Sequence, residues 1–358
     1  MVEKATIQDK KRKSSRRITL GIILLCIIGV ATTWSIKIWN QNSEKCIDCS
    51  NSELTLQSLV KLDTDPFYYI ELWGDYGFEQ YLQAGINEWV AEPERLTSQN
   101  SWACSIFASL NNNNDFLYGR NFDWKDGPKL LVFTNATNAY ASYSMVDLGI
   151  LGFSSEKNFL DASYDEYLQA AYCPLDGMNE YGLSIGCMTA SGSENILNLN
   201  KIKLGSLEVM RLALDYATSV DETILLWRNY SVDFVGGPPL HYLIADASGN
   251  SAIIEFTDGE MQVILTENPW QTSTNFLLYE SDTTDKAKCW RYSLVESVLK
   301  EKNGELSTQE AMDLLEDVAQ DWSTGGTQWS NIFNMNTKEI SIVIGMDYSK
   351  KWHTFTFP

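Results

Sequence analysis

Residues 102 to 124, WACSIFASLNNNNDFLYGRNFDW, set one cysteine, Cys104, at the head of an apolar run, then four asparagines, then Arg120 and Asp123. Asparagine tolerates left-handed backbone and hydrogen-bonds locally, so Asn111 to Asn114 read as a turn between two strands. Pairing outward from a turn centred at about 112.5 sets Cys104 opposite residue 121 and brings Arg120 and Asp123 beside it. A guanidinium within a few ångströms favours the thiolate, the nucleophilic form of cysteine. The competing reading is that a cysteine in an apolar strand is a small buried hydrophobe.

A nucleophile needs a base, and the chain has two histidines, His241 and His353, neither near the hairpin in sequence. His241 begins a strand and reads as a structural residue with its nitrogens satisfied. One base needs no histidine: the α-amino group of Cys104 itself, were the Ala103–Cys104 bond cut, with an ordinary pKa of about 7.7 to 8.0 suited to neutral pH. Asp123 would then hold that amine and Arg120 would steady the sulfur. Two histidines exclude a three-histidine metal site. Of the seven cysteines, Cys46 and Cys49 form a single C-x-x-C, weak evidence for zinc and as readily an oxidised loop. No metal or cofactor is expected.

These residues resemble the N-terminal-nucleophile hydrolases of the choloylglycine hydrolase and penicillin acylase type, related to acid ceramidase and to acyl-CoA:6-aminopenicillanate acyltransferase. In that family a cysteine is followed by G-R-N-x-D, matched here by Cys104, Gly119, Arg120, Asn121 and Asp123. The resemblance continues through DGMNEYGL (176 to 183), HYLIADASGNSAIIEF (241 to 256), STNF (273 to 276), Trp290-Arg291-Tyr292 and TQWS (327 to 330), covering 104 to 358. It implies an α+β fold, a four-layer αββα sandwich of antiparallel sheets, with autocatalytic cleavage before Cys104 and hydrolysis of a linear, non-peptide amide. By the same resemblance Cys104 attacks the acyl carbonyl, Asn275 supplies an oxyanion donor and Arg291 is a second arginine near the cysteine. The chain departs from the pattern twice. Leu265-Thr266-Glu267 stands where the bile-salt and penicillin enzymes have L-T-N, which leaves Asn268 as a rival to Asn275. Thr189 stands thirteen after Asp176, where bile-salt hydrolases have an oxyanion asparagine.

The elements that must position these residues follow from periodicity. Residues 53–62 and 77–90 carry helical spacing, with Phe78, Tyr81, Leu82 and Ile86 on one face. Short strands run from 102, a helical section opens at Ser206, and strands resume at 241–246, 251–256 and 262–267. Capping boxes beginning at Ser219 and Ser307 start further helices, and a hairpin closes the chain. Asp176, Gly177 and Asn179 read as a structural turn.

The remaining expectations concern surroundings. The first 17 residues hold seven basic side chains against two acidic ones in a chain of net charge −20, so the body is strongly acidic and nucleic-acid binding is not expected. Residues 18–36, ITLGIILLCIIGVATTWSI, are uncharged and long enough to cross a bilayer. The expected plan is a basic cytoplasmic segment (1–17), a single-pass membrane anchor (18–36), a linker and helical pro-segment (37–103) and an extracytoplasmic catalytic domain (104–358). A cleaved signal peptide is the alternative to the anchor. The expected partner is a small N-acyl amide; acyl transfer from Cys104, or a non-catalytic surface module of the same fold, remain open.

Overall fold

The hairpin that opens the chemistry also opens the architecture. β3 (Ala103–Ser109) and β4 (Leu117–Lys125) are buried on both faces, as strands must be when layers cover them from either side. The computed structural model describes residues 49–84, 103–112, 115–153, 155–196, 198–234, 237–279, 281–323 and 325–358. Of Met1–Ser50 only the last two residues are described, and Cys49 is disulfide-bonded; Asn51–Pro358 form one compact unit.

Around the hairpin, the chain before it contributes β1 (Val60–Lys61) and β2 (Phe67–Trp73). The chain after it gives β5 (Lys129–Asn135), β6 (Ser142–Asp147), β7 (Asp176–Asn179), β8 (Ser184–Thr189), β9 (Ile202–Gly205) and β10 (Tyr230–Asp233). Next come β11 (Leu240–Ala245), β12 (Ser251–Thr257), β13 (Glu260–Leu265) and β14 (Trp270–Ser273), then β15 (Asp321–Trp322), β16 (Gly325–Asn334), β17 (Glu339–Ile344) and β18 (His353–Thr356). One sheet runs β1-β2-β5-β6-β7-β8-β11-β12-β13; the other runs β14-β3-β4-β16-β17-β18 with β15 beside β16; β9 and β10 form a small parallel pair.

The two large sheets face each other. Tyr118 on β4 donates to the carbonyl of Leu243 on β11, and Trp329 on β16 donates to Asp176 on β7. Helices cover the outer faces. Asn179 on β7 donates to the Leu214 carbonyl of the Glu208–Tyr216 helix, and Asn121 on β4 donates to the Leu315 carbonyl of the Thr308–Asp317 helix. The four-layer α/β/β/α order is therefore present, mostly antiparallel, with β2 and β5 a parallel exception. Ser307 and Glu310 make the expected reciprocal capping box; Ser219 caps its helix, but Glu222 reaches back to Thr218 rather than to the cap's own N–H.

Three expectations change. The segment expected as linker and helix before Cys104 also carries strands: the helices Asn51–Ser58 and Phe78–Ala84 flank β2, which pairs with β5 along seven residues from Phe67↔Lys129 to Trp73↔Asn135. By its contacts the described part of that segment belongs to the compact unit Asn51–Pro358 rather than to a unit of its own. Phe78 and Tyr81 stack edge-on against Tyr172 at 5.4 Å each, which fixes that helix; Ile86 and the rest of its expected extent lie outside the described residues. Ile70 of β2 is fully buried, so Ile70→Val should lower stability by about 1 kcal/mol in thermal unfolding, whereas a removable segment would tolerate it without change.

The third change concerns the membrane. Residues 18–36 lie outside the described residues, and among the described residues no helix is long and apolar enough to cross a membrane. The expectation of a membrane-anchored, extracytoplasmic protein is corrected accordingly.

Candidate active site

Cys104 is the second residue of β3 and fully buried. Its register partner is Phe122, not residue 121, so the hairpin is centred one half-residue later than the asparagine run alone implies. The shift decides which face each side chain takes, because successive strand residues point to opposite sides. With Ile106↔Arg120 as the neighbouring pair, Arg120 shares the face of Cys104 and looks into the space between the sheets. Its Nη2 lies 3.8 Å from Cys104 Sγ, its Nη1 donates to the carbonyls of Leu175 and Cys187, and its Nε pairs with Asp176 at 2.9 Å.

Asp123 falls on the opposite face, toward the Trp290–Glu301 helix. Its Oδ1 accepts from Thr327 Oγ1 at 2.6 Å, and its Oδ2 has Arg291 Nη1 at 3.9 Å. Arg291, the second residue of that helix, also donates to the Cys104 carbonyl, to Ser105 Oγ at 3.0 Å and to Asn275 Oδ1 at 3.1 Å. Asn275 follows β14, the strand beside β3, and its Oδ1 accepts the Cys104 N–H at 2.5 Å. Asn275, rather than the Asp123 carboxylate, thus holds the Cys104 nitrogen in the uncut chain. The amide end of Asn275 donates to the carbonyl and the hydroxyl of Thr189 at 3.1 and 3.0 Å.

Five of the residues singled out from sequence, Cys104, Arg120, Asp123, Asn275 and Arg291, therefore meet in one network, and Thr189 joins it through Asn275. Asn268 does not. It sits in the exposed turn before β14, and the pairing of Trp270 with Ser109 puts it beyond the far end of β3, roughly 17 Å along the strand from Cys104 at about 3.4 Å per residue. Asp176 is the residue that sequence reasoning under-rated. D-G has turn chemistry, yet here it starts a strand, and its carboxylate pairs with Arg120 and accepts from Trp329 and Asn331 with no solvent exposure. The nearest sequence signal was the need of a buried arginine for a counter-charge.

His241 is no base for Cys104. Both ring nitrogens are engaged elsewhere, on Thr274 O at 2.6 Å and Glu255 Oε1 at 2.9 Å. His353 pairs with Asp63 and stacks edge-on on Phe67, distant in the fold from β3.

Burial dominates the electrostatics. It pushes the Cys104 thiol up to about 11 against the pull of the Arg120 guanidinium, so the thiol of the uncut chain is protonated at neutral pH. Burial likewise raises the Asp123 carboxyl to about 7 despite the Thr327 hydrogen bond and the two arginines. A carboxyl raised in the folded state stabilises the fold below its unfolded value, and that contribution is lost as pH climbs through the folded value. In a Cys104→Ala background, which keeps the chain uncut, the stability of the parent should therefore fall relative to Asp123→Asn as pH rises from about 4 to about 7. Parallel melting-temperature curves for the two proteins would refute this. Beside Asn275 and Arg291 a cavity of about 330 Å³ opens between Phe276, Leu277, Lys288 and Cys289. It offers an apolar wall and the Lys288–Asp285 ion pair next to the network.

Comparison with known proteins gives the same direction. Residues 104–285 match the family model of linear amide C–N hydrolases, choloylglycine hydrolase family. Penicillin V acylase of Pectobacterium atrosepticum is 28% identical over 204 residues, 53% of this chain and 53% of that protein, so the match spans about half the length of the curated relative. Penicillin V acylase from Agrobacterium tumefaciens superposes with a TM-score of 0.50 at 17% identity, covering 68% of this chain and 83% of the other. A variant of conjugated bile acid hydrolase from Clostridium perfringens gives 0.52 at 15% identity, covering 71% and 92%; at these identities the likeness is one of fold. Taken with the matched stretch, which begins at Cys104 itself, these findings mean that the chain belongs to the linear amide C–N hydrolases of the choloylglycine hydrolase family.

Proposed function

We propose that this protein is a cysteine-nucleophile hydrolase of linear, non-peptide amide bonds that activates itself by cutting between Ala103 and Cys104. The observation that carries the reading is the convergence of Arg120 on the sulfur of Cys104 and of Asn275 and Arg291 on its backbone, at the residue where the family match begins. In activation, Cys104 Sγ bonds to the Ala103 carbonyl carbon as the C–N bond breaks and the nitrogen takes up the thiol proton. Water then hydrolyses the thioester, leaving a carboxylate on Ala103 and a free amine and thiol on Cys104.

In turnover the amine accepts the thiol proton as sulfur attacks the substrate carbonyl, and passes it to the leaving amine as the C–N bond breaks. Asn275 Nδ2 exchanges Thr189 for the substrate oxygen and steadies the negative charge that develops on it, helped by the Thr189 side. Arg120 holds the sulfur, and Asp123 with Arg291 fixes the strand end from the opposite face. Water takes the acyl group from the thioester.

Relatives named as a penicillin V acylase and a conjugated bile acid hydrolase make N-acyl amides the class to test. The processed chain should release free amine from at least one of penicillin V, a glycine-conjugated bile acid, an N-acyl amino acid or a ceramide. Rapid acid quenching should catch Cys104 carrying the acyl mass. Acyl mass on an added amine instead of release to water would identify a transferase, and no acylation by any of the four would leave the fold without this activity.

A further inference from the structure

Asn275 lies on no helix or strand, in the loop Thr274–Tyr279 that leaves β14, and a loop residue that must meet a reacting atom needs anchoring from outside. The anchors come from the other sheet. On β11, His241 donates from Nε2 to the carbonyl of Thr274, the residue before Asn275, at 2.6 Å. On β12, Glu255 accepts the N–H of Leu278 on Oε1 and of Tyr279 on Oε2, both at 2.8 Å. His241 Nδ1 and Glu255 Oε1 join the two anchors at 2.9 Å, and both side chains have no exposure. On β8, next to β11, Thr189 stands opposite Leu240, and it holds the Asn275 amide directly. One end of the nine-stranded sheet therefore grips the loop on both sides of Asn275 and touches Asn275 itself.

We propose that His241 and Glu255 are positioning residues, a buried clamp that aims the Asn275 amide at the oxygen of the bound carbonyl. This rests on the reading of Cys104 as nucleophile. A histidine and a glutamate spent on each other and on main-chain groups of one short loop serve the geometry of that loop, and a residue within it already bridges the Cys104 nitrogen and Thr189. The Asn275 amide that the clamp aims acts only where an oxyanion forms, while the Asn275 oxygen stays on the Cys104 nitrogen. Attack on a carbonyl passes through one, and simple alkylation of sulfur does not.

Two reactions of the same thiol separate these demands in the processed full-length protein: acylation by 4-nitrophenyl acetate, followed by release of 4-nitrophenolate, and alkylation by iodoacetamide, followed by intact mass. His241→Gln and the more conservative Glu255→Gln should slow acylation about 10- to 100-fold, as a displacement of about 1 Å does in an oriented site, and leave alkylation within about twofold. Adding either change to Asn275→Ala should cost nothing further, since the clamp works through Asn275. Losses that multiply in the double variants, equal slowing of both reactions, or wild-type rates in Glu255→Gln would overturn the clamp. A wild-type protein whose Cys104 reacts with neither reagent would instead remove the nucleophile assignment beneath it.

Discussion

Purified Cys104→Ala should remain a single uncut chain and should hydrolyse no N-acyl amide above background, a loss of at least about 10⁴-fold against the processed wild type, which should carry a new N-terminus at Cys104. The two effects share one cause. On the proposed mechanism the sulfur that opens the Ala103–Cys104 bond is the sulfur that later takes the acyl group, and alanine offers no nucleophile for either. The size of the loss follows because removing a nucleophile leaves only binding and the oxyanion donors to act. In the uncut chain the thiol is buried and held protonated, its nitrogen is an amide bound to Asn275, and neither proton can move as turnover requires. Cutting converts that amide into a titratable amine at the position where a base is needed. Intact mass and N-terminal sequencing read the cut, and amine release reads the activity. Cleavage of Cys104→Ala at the same bond would hand the cut to an external protease, and an active wild type that stays uncut would eliminate the amine as base.

Arg120→Met should cost about 3–5 kcal/mol of folding stability and abolish turnover, and the companion change Asp176→Asn should restore most of the stability but none of the turnover. Arg120 and Asp176 are both wholly buried and paired at 2.9 Å, so removing the cation leaves a carboxylate without its counter-charge inside the sandwich. Burial already lifts the Asp176 carboxyl to about 6 with the arginine present. Neutralising Asp176 removes that penalty while its hydrogen-bonding shape persists toward Trp329 or Asn331. The sulfur, however, loses Nη2, the cation beside it in the space between the sheets. Thermal unfolding measures the first effect, and amine release together with iodoacetamide labelling measures the second. Recovery of turnover in the double variant would reduce Arg120 to a structural ion.

Much of this architecture was legible because strands with both faces buried read as short apolar runs with turn residues between them. The strands at 103–109, 117–125, 240–245 and 251–257 appear within about three residues of expectation. β2 was not legible. FYYIELW pairs in parallel with β5, whose partner positions lie some sixty residues on, and a parallel pairing leaves no hairpin signal in the local sequence. In the site, Cys104, Arg120 and Asp123 came from the hairpin, but the half-residue displacement of its centre separated Arg120 from Asp123 onto opposite faces, which the four asparagines alone do not specify. Asn275 and Arg291 were visible only through resemblance, since tertiary packing of β14 and of the Trp290–Glu301 helix against β3 brings them in. Asp176 was hidden by its D-G context. The clamp of His241 and Glu255 could not be read from spacing, because its target is a loop in the other half of the sandwich.

The place of β2 gives the folding of this protein a direction in time. While the chain is whole, Phe67–Trp73 reaches β5 as a tethered neighbour, at a high effective concentration that does not change with dilution. Were the bond before Cys104 broken as proposed, the same strand would be held by its seven-residue ladder and by side-chain contacts such as Tyr76 on Asp215 and Glu79 on Asn138, and by no peptide bond. The first folding would then be a unimolecular event and every later one a bimolecular encounter. A cut protein that unfolds returns at a rate set by its concentration, and in dilute solution its lifetime is governed by how slowly that strand leaves.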